Sequence, residues 1–469
     1  MRPAQDAASL RAMNAGPSRD SSESERPPAV ILGVQLQGVS DEAFASSLTE
    51  LERLAETLGL RVTARVTQKR HGLGSTTVVG EGKLKELAQH TGGRGFVPSF
   101  APAGSRAALE EAAQQDEPAE DAESESRHAV TVLVDQDLSP TQMRNLEKAT
   151  GVEVLDRSMV ILSIFQRHAR TREAKIQVEI AHLLYMAPRL RETNAGGDRQ
   201  RGGVGGKGAG ESALELSRRG ARDRIAELRR ALVVVQREAA TQRNRRSGSS
   251  TQTVTLVGYT NAGKSRLMRA LTGDAMVVAD QLFATLQTTV RILVPETRPR
   301  ILISDTVGFI RNLPHDLVAS FRSTLEEARD ADLHLHVVDA ADPAFRDQCE
   351  VTRQVLAEIG AADHPRLLIL NKSDLLDNDQ RAALASEFPD AVLMSALSQE
   401  DVTQLHGLIQ AFFERSMQEE EFVIAYDQQA KVALLHEHCR VLSERYEEDG
   451  AHIRVRAPAS LLGGLRREL

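Results

Sequence analysis

One eight-residue run constrains this chain more than any other feature: Gly258-Tyr259-Thr260-Asn261-Ala262-Gly263-Lys264-Ser265, set between the apolar stretch TVTLV and a helical pattern that begins at Lys264. A glycine-rich turn leading from a strand into a helix points backbone N–H groups inward. Together with the positive end of the helix they form a nest for a phosphate group. Such a loop needs a central strand of a parallel sheet behind it, which fixes the local architecture as α/β. In this arrangement Lys264 faces the β- and γ-phosphates, and the Ser265 hydroxyl is the ligand for Mg2+.

Three further elements follow in order, each at the C-terminal end of an apolar strand. Asp305-Thr306-Val307-Gly308 closes RILIS. There a carboxylate reaches Mg2+ through water, and the Gly308 N–H senses the γ-phosphate. Asn371-Lys372-Ser373-Asp374 closes LLIL, and its last carboxylate suits the paired N1–H and N2–H2 donors that guanine has and adenine lacks. Ser395-Ala396-Leu397 ends another strand, from which a backbone N–H can meet the guanine O6. The four together predict a guanine-nucleotide switch that binds GTP and GDP. The segment DQLFATLQTTVR (280–291) lies between the first two elements and must supply a threonine for Mg2+ and the γ-phosphate. Thr285 and Thr289 are both candidates. In-line transfer to water is assigned to Lys264 and Mg2+, with the amides of Gly263 and Gly308. The residue after Gly308 is Phe309, whose ring cannot orient water, so slow intrinsic hydrolysis is expected.

At 469 residues the chain has room for about three domains. Residues 1–28 are polar and rich in Ser, Pro, Arg and Glu, which predicts a disordered tail without an export signal. From 29 to 166 strand and helix patterns alternate (VILGVQL, DEAFASSLTELERLAETLG, LRVTARVTQ, GEGKLKELAQHTG, AVTVLVDQ, VEVLD), implying an N-terminal parallel α/β domain. An insertion at about 94–127 interrupts it. There Glu110, Glu111, Asp116, Glu117, Glu120, Asp121, Glu123 and Glu125 occur with no basic residue between them, the pattern of a solvated loop.

Residues 167–246 read as a basic helical hairpin around the glycine-rich run RGGVGGKGAGE (201–211). They hold 19 Lys and Arg against nine Asp and Glu, a local +10 in a chain of net charge −8, so the remainder carries −18. Ile225, Leu228, Leu232 and Val235 recur at helical spacing and predict one buried stripe. The arginines on the other faces suit RNA phosphates. After the joint NRRSGSSTQ, residues 250–417 form the nucleotide domain, whose apolar strands, RILV among them, read as buried in a parallel sheet. Residues 418–469 read as a small α+β domain: strand FVIAYD, one helix through QQAKVALLHEHCRVLSERY, and strand AHIRVRAP. Two cysteines, Cys349 and Cys439, are too few for a disulfide framework, and no apolar stretch is long enough for a membrane span. A monomer in the reducing cytoplasm is expected, with no DNA partner.

The wording of these motifs resembles the HflX family of translation-associated GTPases. GYTNAGKS, DQLFATL, DTVGFIRNLPHDLVASFRSTLEEARDADLHLHVVDAADP and NKSD carry the likeness. So do SPTQMRNLEKATGVEVLDRS, ARTREAKIQVE and RGGVGGKGAGESALE. It spans about residues 30–469 apart from the acidic insertion, and implies a multidomain α/β protein: an N-terminal parallel α/β domain with a long helical hairpin, a P-loop GTPase domain and a small C-terminal α+β domain. It also favours Thr285, in FATL, as the switch ligand, so that Phe283, Ala284, Thr285, Leu286 and Gln287 join the nucleotide site and Ser265 and Thr285 hold the metal. The resemblance further implies a GTPase that binds the large (50S) ribosomal subunit in its GTP form and splits or keeps apart stalled or idle ribosomes, often under stress. Its N-terminal domain and basic helices would touch ribosomal RNA, with the glycine run as a probe loop. The alternative is a nucleotide-gated RNA-binding or assembly factor with little intrinsic hydrolysis. Departures from the family pattern are Arg266 and Arg269 after the phosphate loop, LQTTV for LDPTT, GAGESALE for GPGETQLE, and the lack of any Trp.

Overall fold

The computed structural model describes residues 26–97, 128–193, 213–247, 251–273, 283, 289–311 and 327–468. The N-terminal tail up to residue 25, the acidic residues 110–125, the glycine run 201–211 and residues 284–287 lie outside them. Two compact units emerge. One takes in the chain up to Arg167 together with His182–Arg224, the other His168–Ala181 together with Ile225–Leu469. Residues of the basic helical region fall in both units.

The first unit is built on β1 (Pro28–Leu36), α1 (Asp41–Thr57), β2 (Arg61–Arg70), α2 (Glu81–Thr91), β3 (Thr131–Val134), α3 (Pro140–Thr150), β4 (Glu153–Asp156) and α4 (Arg157–His168). Its sheet runs β2-β1-β3-β4, parallel throughout, as the alternating pattern predicts. The helices start and stop where their ends are satisfied. Ser40 accepts from the Ala43 N–H, Ser139 and Gln142 form a capping box behind Pro140, and Gly92 and Gly151 close helices in the left-handed conformation. Val30, Leu32, Val132, Leu146 and Val154 form the core between them.

Beneath the sheet's C-terminal edge lies a buried ion cluster. The Arg157 side chain, 2% exposed, donates from Nη1 to Asp135 Oδ1 at 2.7 Å and from Nη2 to Glu50. Arg157→Ala takes that cation from two carboxylates, and we expect a loss of about 3–5 kcal/mol of stability. Urea unfolding followed by far-UV circular dichroism checks this as a drop in midpoint without a change in slope. An unmoved midpoint would mean the cluster is structurally idle.

The two long helices are α5 (Arg172–Thr193) and α6 (Ala213–Ser247). On α6, Ile225 and Leu228 are buried and Leu232 and Val235 half-buried, in keeping with the predicted stripe, while Val233 and Val234 are exposed.

The second unit carries β5 (Gln252–Val257), α7 (Lys264–Thr272), β6 (Thr289–Ile292), β7 (Ile301–Asp305), β8 (Leu333–Asp339), α8 (Phe345–Glu358), β9 (Arg366–Asn371), α9 (Asn378–Glu387), β10 (Val392–Leu393) and α10 (Gln399–Glu414). Its sheet runs β10-β9-β8-β5-β7-β6. One strand departs from expectation. Of RILV, read as a buried parallel strand, only Arg291 and Ile292 lie in β6, which pairs antiparallel with β7 at the sheet edge and leaves both exposed, while Leu293 just beyond it is buried. Having only one neighbour in the sheet, β6 leaves one backbone edge unpaired by a strand. The other five strands pair in parallel, over a core of Val254, Leu256, Leu267, Ile303, Leu335 and Ile369.

The C-terminal part corrects a second reading. The expected single helix divides into α11 (Gln429–His438) and strand β12 (Arg440–Glu447), and the acidic QEEE belongs to strand β11 (Met417–Ile424). Both strands pair antiparallel with β13 (Gly450–Pro458), and α12 (Ala459–Glu468) follows. Cross-strand ion pairs accompany these ladders: Glu419 faces Arg454 and Arg456, and Glu421 meets Arg445. A sheet partner supplies what local helical periodicity could not foresee. Cys349 and Cys439 are both free thiols. Among the described residues no helix is long and apolar enough to cross a membrane.

Candidate nucleotide site

Strand β5 has β8 on one side and β7 on the other, so the sheet order reverses at β5. A crevice opens outside the C-terminal ends of strands at such a point. All four predicted elements lie along this edge: the phosphate loop after β5, Asp305–Gly308 at the end of β7, Asn371–Asp374 at the end of β9, and Ser395–Leu397 just beyond β10.

The loop's glycines are required by its path. Gly258 has φ +148°, and a Cβ there would stand 2.1 Å from the Val337 carbonyl oxygen; Gly263, at φ +93°, would press a Cβ to 2.3 Å from Asn371 Nδ2. Asn261 takes a left-handed φ of 59°. Gly263 then caps the N-terminus of α7 with no side chain in the way. Lys264 is buried, and its Nζ donates to the carbonyls of Gly258 (3.0 Å) and Tyr259 (2.7 Å). Burial pulls its pKa down to about 8, partly opposed by the Asp305 charge. An ammonium held dry by two carbonyls is ready to take an anionic partner.

Ser265 Oγ donates to Asp305 Oδ2 at 2.8 Å, and Asp305 is 1% exposed. A hydroxyl and a buried carboxylate brought together offer the hard oxygen donors that Mg2+ takes. Thr306 is buried and donates to the Leu256 carbonyl, Val307 is buried, and Gly308 lies against Thr260 and Lys264. Of the switch segment, Phe283 is buried with φ +57°, whereas Ala284, Thr285, Leu286 and Gln287 fall outside the described residues. Thr289, the other candidate, opens β6 opposite Asp305, with its Oγ1 buried and without a hydrogen-bond partner.

At the base-reading end, Asn371 acts as a brace. Its Nδ2 donates to the Ala262 carbonyl at 2.9 Å and its Oδ1 accepts from the Ala396 N–H at 3.0 Å, tying the phosphate loop to the Ser395–Leu397 segment. Lys372 has a left-handed φ of 63° and pairs through Nζ with Asp339 Oδ2 at 2.7 Å. Ser373 opens a short 3-10 turn, and Asp374 within it accepts from Ser395 Oγ. The Ser395 N–H donates to Asp401 Oδ2, and the Leu397 N–H to Ser395 Oγ. All three amides of that segment therefore have acceptors within the chain in this conformation.

Two contributors escaped the sequence reading. Asp339, the last residue of HVVD, holds Lys372, and its place at a strand's C-terminal end was the available signal. Arg311, whose N–H donates to Tyr259 Oη at 2.8 Å, gave none. Beside the site, His336 on β8 is buried, and burial drives its pKa down to about 3, so it is neutral.

A parallel sheet reversing at a glycine-rich phosphate loop, with an Asp-x-x-Gly turn and an Asn-Lys-x-Asp turn along the same edge, defines a P-loop GTPase. Comparison with known proteins makes this specific. Family models described as GTP-binding GTPase N-terminal, GTP-binding GTPase Middle Region and 50S ribosome-binding GTPase match residues 45–95 with 113–166, 168–246 and 253–372. A GTPase HflX of Gluconacetobacter diazotrophicus is 53% identical over 446 residues, covering 94% of this chain and 98% of that one. The GTPase HflX of Caldanaerobacter subterraneus is 36% identical over 91% of each chain, and that of Escherichia coli 38% identical over 78% of each. The chain belongs to the HflX family of GTPases.

Proposed function

We propose that this chain is a Mg2+-dependent GTPase of the cytoplasm whose GTP form associates with the large (50S) ribosomal subunit and splits or keeps apart stalled or idle ribosomes. The observation that carries the catalytic part is the convergence of Lys264, Ser265, Asp305 and Gly308 on one crevice edge. The 50S wording of the matching family model supports the ribosomal part, as does the local +10 of residues 167–246.

Ser265 and a threonine of the switch segment, Thr285 by family resemblance, would hold Mg2+ beside Asp305. When bound, that ion neutralises charge on the β- and γ-phosphate oxygens. Lys264 donates to the same oxygens, and the amides of Gly263 and Gly308 meet the charge that develops as water displaces GDP from the γ-phosphorus. Asp374 accepts from the guanine N1–H and N2–H2, and a backbone amide of Ser395–Leu397 turns to O6. Phe309 is 3% exposed and apolar, so it places no acceptor near the attacking water. Intrinsic turnover is consequently slow, and the large subunit accelerates it by ordering the switch residues or supplying a group in trans.

The expected result is at least about a tenfold faster single turnover with purified large subunits, with cosedimentation in the GTP-analogue state and not in the GDP state. Fast turnover indifferent to subunits, or equal sedimentation in both states, contradicts the proposal.

A further inference from the structure

The pairing of β5 with β7 does not stop where the strands end. Leu256 lies opposite Asp305 in the regular ladder, and Tyr259 pairs in parallel with Phe309 after a one-residue slip. Two main-chain hydrogen bonds make this extension: the Thr260 N–H donates to the Phe309 carbonyl at 2.8 Å, and the Phe309 N–H to the Gly258 carbonyl at 3.1 Å. A side chain adds a third, since Tyr259 Oη, on a residue 5% exposed, accepts from the Arg311 N–H at 2.8 Å. The segment after Asp305 is thereby clasped onto the phosphate loop.

The clasp packs Gly308 closely on the lysine. A Cβ on Gly308 would lie 2.8 Å from Thr260 Cγ2, 2.9 Å from Thr260 Cα and 3.0 Å from Lys264 Nζ. For Lys264 and the Gly308 N–H to hold one γ-phosphate together, a phosphoryl oxygen must fit between them at about hydrogen-bond distance from each. In the clasp Gly308 lies directly against Thr260 and Lys264, the lysine that must take that oxygen.

We propose that Tyr259 is a positioning residue for nucleotide-state selection: its phenol, by holding the Arg311 amide, stabilises the clasped arrangement that accepts diphosphate and opposes triphosphate. The inference rests on the GTPase reading above and concerns only the balance between the two nucleotide states. Removing one neutral hydrogen bond from the clasped state shifts that balance by roughly three- to tenfold. By linkage the shift appears in the ratio of the affinities for the two nucleotides.

Tyr259→Phe in the full chain tests this, with calorimetric titration of GDP and of a non-hydrolysable GTP analogue. The expected result is a three- to tenfold gain in the analogue-to-GDP affinity ratio. A ratio unmoved, or moved toward GDP, overturns the inference. Hydrogen exchange on the wild-type peptide spanning 306–311 supplies a second readout that needs no variant. Protection of the Phe309 and Arg311 amides with GDP, lost with the analogue, supports the clasp, and equal protection in both states refutes it. If the wild type binds neither nucleotide, the GTPase reading falls as a whole. If it binds both and neither readout moves, only the role of Tyr259 falls.

Discussion

Lys264→Ala should abolish tight triphosphate binding, lowering affinity for a GTP analogue by at least about 100-fold, because it removes charge-assisted hydrogen bonds worth roughly 1.5–3 kcal/mol each. Calorimetric titration checks it, alongside a circular dichroism spectrum matching the wild type. Retained nanomolar affinity would contradict the phosphate-loop assignment. The burial of Lys264 adds a pH signature. Its pKa in the nucleotide-free protein lies near 8, against an ordinary 10.5, because burial disfavours the ammonium. Phosphate oxygens favour the charged form, so above pH 8 binding must take up a proton, and apparent affinity should fall by up to about tenfold per pH unit until the pKa of the lysine in the complex is reached. Stability runs the other way. Between about 8 and 10.5 the unfolded chain holds the proton that the folded chain has shed. The buried ammonium thus costs stability below pH 8, and that cost is relieved as pH rises.

The parts legible in the sequence were those whose physics is local. A nest of N–H groups needs glycines at set places, and Gly258 and Gly263 adopt positive φ where a Cβ would strike Val337 or Asn371. Strand-end carboxylates likewise announced themselves, and Asp305 and Asp374 both stand at the predicted edge. What the sequence did not disclose depends on partners far along the chain. β12 takes a stretch with helical periodicity because β13 offers it a ladder. β6 looks like its apolar neighbours yet lies antiparallel at an edge, a matter of sheet order that residue types alone do not encode. Arg311 joins the site through its backbone amide, and any residue but proline carries one.

The second large effect concerns which base is read. In Asp374 both carboxylate oxygens are acceptors, and Ser395 Oγ donates to Oδ1, which fixes the orientation of the group. Guanine offers two donors on one edge, N1–H and N2–H2, and an ionised carboxylate can accept both. Asp374→Asn keeps an oxygen for Ser395 to bond and puts an amide nitrogen at the other position. That nitrogen opposes the guanine amino group donor to donor. One of the two hydrogen bonds is replaced by a donor–donor contact and the other loses its charged acceptor; with charge-assisted bonds at roughly 1.5–3 kcal/mol each, GTP affinity should fall by about 10^2- to 10^4-fold. Xanthine carries a carbonyl where guanine carries the amino group, so the same amide nitrogen becomes a matched donor, and XTP should bind the variant better than GTP does. Asp374→Ala separates selectivity from simple damage: it removes acceptor and donor alike, so it should weaken GTP without gaining XTP. Competition of both triphosphates against a fluorescent guanine nucleotide measures all three proteins on one scale. If Asp374→Asn keeps its preference for GTP, Asp374 is not the base reader, and the Asn371–Asp374 turn serves only to brace the loops around it.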